Sequence, residues 1–255
     1  MAVNQNDPFQ ARSRADHMSP AEAHAAGIDV GLRKYMLGVY NYMAGGVALT
    51  GAVAYLGAST PAIRNLMFSV GADGRIGMNL MGWAVMLAPL AFILVMSFGV
   101  NKMRASTLQM VFWAFAAVMG LSMSHIFLTY TGVSVARVFF ISAGSFAALS
   151  LFGYTTKKDL SGFGSFLYMG LFGIIIASVV NIFMDSSALH FVISVAGVLV
   201  FAGLTAYDTQ KIKSIYSVTD SGEVMGKKQI MGAVNLYLDF VNLFMMLLHL
   251  FGNRD

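Results

Sequence analysis

The sequence predicts an all-α integral membrane protein, a seven-helix bundle, and three observations carry that prediction. Hydrophobic residues make up 57% of the chain and charged residues only 11%, with a mean hydropathy of +0.70; a soluble domain of 255 residues cannot hide that much apolar surface. Seven stretches are apolar over the roughly 20 residues that a bilayer crossing needs. Lys and Arg fall mainly on one side of the loops these stretches define.

Residues 1–30 hold no apolar run and therefore no signal-peptide core. They are expected to form a polar, mostly disordered cytoplasmic tail with a helical turn around Pro20 to Ala26, leaving 31–255 as the seven-span domain. The spans are placed at 36–57, 80–100, 107–129, 134–153, 163–184, 188–210 and 230–251. Linkers such as Gly57 to Pro61, Val70 to Gly74 and Asp220 to Gly222 carry turn residues. The fourth span is rich in Ser, Ala and Gly, which suits a helix packed within the bundle. Gly38, Gly45, Gly46 and Gly51 in the first span and Gly164, Gly170 and Gly173 in the fifth are expected to let backbones approach closely.

An amino terminus on the cytoplasmic side puts twelve of the 16 basic residues inside, including Arg33, Lys34, Lys102, Arg104, Lys157, Lys158, Lys211 and Lys213. Arg64, Arg75, Arg137 and Arg254 remain outside, so the carboxy terminus is expected outside as well. The net charge of +4 comes from residues flanking the spans, and no basic stripe interleaved with aromatics suggests nucleic acid. With no cysteine, disulfides and thiolate metal sites are excluded.

Two acids lie within apolar spans. Asp208 falls in AYDTQ near the cytoplasmic end of the sixth, and Asp239 in LYLDF of the seventh. A charge at the centre of a span disfavours insertion by about 2.5–3.5 kcal/mol, so such a residue is functional by default. Asn235, Asp239, Asn242 and His249 recur at helical spacing and share one face, which makes the seventh helix the candidate central element. Opposite chain directions bring Asp208 and Asp239 to the same half of the membrane, where they can meet. Ser122 and His125 form a smaller polar patch on the third span, and Asn181 lies late in the fifth. Structural readings stand beside these: Asp208 as an interfacial acid paired with Lys211 or Lys213, Asp239 as an interhelical bonding residue, His125 as a neutral imidazole bonded to a neighbouring helix, and Tyr207 and Tyr237 as interface or core aromatics.

Two carboxylates held close in a low-dielectric site cannot easily both ionise, so they titrate as one coupled pair. Such a pair switches between a proton-sharing form and a doubly charged form that repels or recruits a cation. Calcium suits the charged form, because it takes carboxylate and carbonyl oxygens in flexible geometry. The residues point to a pH-sensitive gate or a cation pathway, with either protonation state left open as the conducting one.

The chain also resembles the Bax inhibitor-1 family, which includes the lifeguard branch and bacterial relatives. The resemblance covers roughly residues 33–252 and rests on GLS at Gly120, LFGYTTKKDLSGFGSFL from Leu151, FAGLTAYDTQKIK from Phe201 and LYLDFVNLFMMLL from Leu236. It implies a bundle whose last helix is enclosed by the other six, and a proton-regulated calcium leak sensed by an aspartate pair. The family's sensor positions match Asp208 and Asp239, with Arg104 as the counterpart of its basic partner near the second span.

The leading expectation is therefore a pH-sensitive, calcium-permeable leak channel in a bacterial inner membrane. Asp208 and Asp239 sense protons and contact the cation, Asn235 and Asn242 orient Asp239, and calcium is cargo with no cofactor required. The alternative is a non-conducting regulator that binds a membrane protease or a stress-response partner through the tail. An intramembrane hydrolase using Ser122 and His125 is disfavoured, since neither a GxSxG elbow nor an HExxH motif occurs, and no enzymatic activity is expected.

Overall fold

A computed structural model of the chain describes residues 20–70 and 76–254, with side chains over 30–69 and 77–254. Its helices are α1 (Pro20–Ser59), α2 (Pro61–Met67), α3 (Leu80–Gly99), α4 (Ala105–Met123), α5 (Ile126–Thr129), α6 (Gly132–Thr155), α7 (Ser161–Met184), α8 (Ser187–Ser214) and α9 (Gly222–Phe251). Six are long and apolar enough to cross a membrane, counting α4 and α5 as one span, and the segment Val30–Ser59 joins them as a seventh together with α2. The bundle is all-helical apart from a short hairpin between α2 and α3. Its strands β1 (Phe68–Val70) and β2 (Ile76–Met78) pair antiparallel, Phe68 opposite Met78. The linker read at Val70 to Gly74 thus separates paired strands, and residues 71–75 lie outside the described residues.

α1 extends well beyond the predicted 36–57. It begins at Pro20, where a missing N–H costs nothing at a helix start, and the Ala- and Glu-containing stretch that follows favours continuation. The expected tail is thus helical from Pro20, and residues 1–19 lie outside the described residues. Thr60 is extended and Pro61 opens α2, so the chain turns by 89° at the end of the first span.

α9 is the buried core of the bundle. Of its most apolar window 67% is buried, against 11–39% for the other membrane-length helices. It packs against α1, α4, α6 and α8, while α3 lies outside on α4 and α7 outside on α8. The outer helices present Phe98, Ile182 and Phe183 to the lipid, more than three-quarters exposed without a membrane around them. Such surface is stable only in hydrocarbon.

Both ends of α9 are pinned. At its start Ser221 accepts from the Val224 N–H, and Glu223 Oε1 accepts from Ala105 N at 2.6 Å, satisfying an orphan donor of α4. Lys228 Nζ reaches Asp220 Oδ2 at 2.6 Å and the Ile215 carbonyl at 2.8 Å, closing the turn between α8 and α9. Replacing Lys228 with Met is expected to lower stability by about 1 kcal/mol, since the pair is only partly shielded from water; thermal unfolding in detergent measures it. At the far end Asn253 N donates to Ser134 Oγ at 2.9 Å and Thr131 N donates to the Asn253 carbonyl at 3.1 Å.

Inside, the Thr50 hydroxyl donates to the Ala116 carbonyl at 2.8 Å, so its contact of 2.7 Å with Tyr237 is donated by the tyrosine. Tyr237 is a fully buried core aromatic, edge-on to Phe112 and Phe115. Tyr237→Phe should cost about 1 kcal/mol, the net value of one buried hydrogen bond, read as a shift in the unfolding midpoint.

Five of the seven predicted glycine contacts occur: Gly38 faces Gln229, Gly45 Trp113, Gly46 Phe112, Gly164 Tyr207 and Gly170 Val200. Gly51 and Gly173 face open space, so close packing does not explain them.

Candidate functional site

Asp208 lies near the end of α8 and Asp239 past the middle of α9, and these antiparallel helices pack along each other. Each aspartate is only 5% exposed. Their carboxyl groups stand within hydrogen-bonding reach of one another. The α8–α9 turn, Ile215 to Ser221, is seven residues long, which holds the two helices side by side below the pair. Tight helix contacts fix Asp208 further: Gly153 of α6 lies directly on the backbone of Ala206, and Gly164 of α7 on the ring of Tyr207.

The pair is sparsely served by other donors. The Tyr168 hydroxyl of α7 points at Asp208 Oδ1 from 3.4 Å, a long contact. Asp239 Oδ2 is buried and meets no N–H or O–H donor among the described residues. A single proton placed between the two carboxyls supplies the missing donor. With both ionised at about 4 Å they would repel by ~4 kcal/mol at an effective dielectric of ~20.

Several predicted neighbours are elsewhere. The Asn242 amide donates to Leu238 O at 2.8 Å, one turn back in its own helix, so it does not orient Asp239. Asn235 is half-buried and makes no side-chain bond to Asp239 among the described residues. Arg104 precedes the first turn of α4 with an extended backbone and forms no ion pair with either aspartate among the described residues. Nor does Asp208 pair with a lysine there: Lys211 Nζ lies over the rings of Tyr168 and Tyr207 at 5.9 and 5.7 Å, and Lys213 bonds the Tyr154 carbonyl. Tyr207 therefore packs in an aromatic pair with Tyr168, which is edge-on to it at 6.0 Å.

The remaining polar residues have local partners. His125 Nδ1 meets the Ser122 carbonyl at 2.9 Å within its own chain segment, rather than a neighbouring helix, and Ser122 Oγ reaches Met86 O at 3.4 Å. They sit where the third span breaks between α4 and α5, with no serine–histidine side-chain bond. Asn181 closes the end of α7 by accepting from Ser186 N, beside Asp185 in the left-handed region (φ 47°). His249 meets a residue that sequence reasoning passed over: the His190 and His249 rings lie 4.8 Å apart, again between α8 and α9.

No group of three or more His, Cys, Asp or Glu side chains among the described residues could hold a metal. Calcium takes 6–8 oxygens, so two carboxylates form only part of a shell. They suit passing contact with a cation better than a resident ion.

A buried helix ringed by apolar spans, with an acid pair between it and its predecessor, defines a multi-pass helical membrane protein. The family model described as Inhibitor of apoptosis-promoting Bax1 matches residues 32–255, and the chain belongs to this Bax inhibitor-1 family. It is 45% identical over 226 residues to inner membrane protein YbhL of Escherichia coli K12, covering 88% of this chain and 93% of that one. A protein of Caulobacter vibrioides is 46% identical over 238 residues, covering 92% and 95%. One of Rickettsia prowazekii is 48% identical over 226 residues, covering 89% and 92%. The chain is a multi-pass protein of the inner membrane.

Proposed function

We propose that the protein is a pH-regulated, calcium-permeable leak channel of the bacterial inner membrane, gated by Asp208 and Asp239. The supporting observation is the burial of both carboxyls within hydrogen-bonding reach, with no ion-paired cation among the described residues. With one proton shared, the pair is a monoanionic clasp joining α8 to α9. Losing that proton leaves two like charges in an apolar wall, which favours separation of the helices or entry of a cation between them. Either outcome couples proton concentration to a path along α9. Lys211, one turn from Asp208 and held over two tyrosine rings, lies at the approach to the pair.

The distribution of Lys and Arg supports an amino terminus in the cytoplasm, which puts the pair in the cytoplasmic half of the membrane. Purified protein in liposomes loaded with a calcium dye tests the reading. Calcium entry should exceed that of protein-free vesicles and change with pH across the range where the pair titrates. Entry no faster than in empty vesicles at every pH would overturn it.

A further inference from the structure

We propose that the fissure between α1 and α6 binds an anionic phospholipid, with its phosphodiester at Arg33 and Lys213 and one acyl chain along Leu37, Phe146 and Ala147. The fissure exists because α1 and α6 both pack on α9 while barely touching each other. Its volume is about 620 Å³, within the roughly 300–1,000 Å³ typical of small-molecule sites. Leu37 and Leu151 on its two rims are more than half exposed, so it opens sideways into the hydrocarbon. An acyl chain is the apolar occupant available there.

The floor selects against a polar guest. Thr209 Oγ1 donates to Thr205 O at 2.7 Å, so Ser150 donates to Thr209 at 2.9 Å and Tyr40 to Ser150 at 2.7 Å. Each hydroxyl proton in this chain is already committed within the protein, and the surrounding walls are carbon.

The mouth selects for an anion. Arg33 lines it from α1, near the start of the membrane-crossing segment Val30–Ser59. Tyr154 lines it from α6, and Lys213, outside the lining itself, is held beside Tyr154, its Nζ 2.8 Å from that carbonyl and 4.9 Å from the ring centre. Lys34 adjoins Arg33 along a neighbouring groove. Among the described residues no Asp or Glu lines the fissure, so the positive group of a zwitterionic headgroup finds no partner there. A guanidinium fork and a fixed ammonium match a phosphodiester at headgroup level.

Delipidated full-length protein titrated with phosphatidylglycerol or phosphatidylcholine, and read by native mass spectrometry, tests the site. The wild type should retain one phosphatidylglycerol in preference to phosphatidylcholine. Arg33→Gln with Lys213→Gln should erase that preference, at roughly fivefold for each cation lost. Ala147→Trp should fill the fissure and reduce retention of both lipids, while Lys157→Gln with Lys158→Gln, at a different groove, should change nothing. Soluble glycerophosphate should fail to compete, because it lacks the chain. Equal retention of both lipids by the wild type, or unchanged phosphatidylglycerol retention in folded Arg33/Lys213 and Ala147 variants, overturns the proposal. Circular dichroism of each variant establishes that it is folded. The site stands independently of whether the protein conducts calcium.

Discussion

Asp239→Asn is expected to leave a folded protein whose calcium flux no longer responds to pH. Asparagine keeps the volume and provides a permanent N–H donor toward Asp208, so the clasp persists at any proton concentration. The buried oxygen that lacks a donor in the aspartate form is replaced by groups that cannot ionise. The wild-type ratio of fluxes at the two ends of the pH profile should therefore collapse toward one. Asp208→Asn should do the same, and the double variant should add little, because the two residues titrate as one unit. Liposome flux at several pH values, with unfolding midpoints measured alongside, separates gating from folding. A pH response retained in all three variants would exclude the pair as the sensor.

The same geometry explains why this pair was legible in the sequence. An acid inside an apolar run carries an insertion cost that marks it out, and an antiparallel helix pair joined by a short loop limits where its partner can lie. Seven spans were legible for a related reason, since bilayer thickness imposes a length on each. The supporting shell was not. Tyr168 sits among Phe, Leu and Met in a helix most of whose surface is exposed, and nothing in its spacing separates a hydroxyl that reaches an acid from one that reaches headgroups. Asn242 looked like a partner for Asp239 by helical spacing, yet a side-chain amide in a helix can satisfy itself on the carbonyl four residues back. Arg104 corresponds to the family's basic partner by resemblance alone, and its place ahead of the first turn of α4 leaves it without a bond to the pair among the described residues. His190 was hidden because its segment, SSALHF, reads as the outer start of a span.

Gly153→Ala should be among the most damaging single-atom additions in the bundle. A Cβ at Gly153 would fall on the backbone of Ala206, with Ala206 C and Cα each 2.9 Å away and its carbonyl oxygen closer still. Those atoms belong to the α8 hydrogen-bond ladder and cannot rotate aside as a side-chain tip can. α6 must therefore move away from α8, at a cost of about 1–3 kcal/mol for overpacking. The displacement acts two residues before Asp208, so the clasp with Asp239 should loosen as well. Loss of stability should thus be accompanied by an altered pH profile of flux, which distinguishes a lever on the site from simple destabilisation. Gly144→Ala on the same helix is the control: nothing lies within 4 Å of its added carbon, and alanine is the better helix former by about 1 kcal/mol. It should unfold no earlier than the wild type and conduct as the wild type does. If Gly153→Ala matches that control in both unfolding and flux, the close crossing of α6 and α8 does not position Asp208.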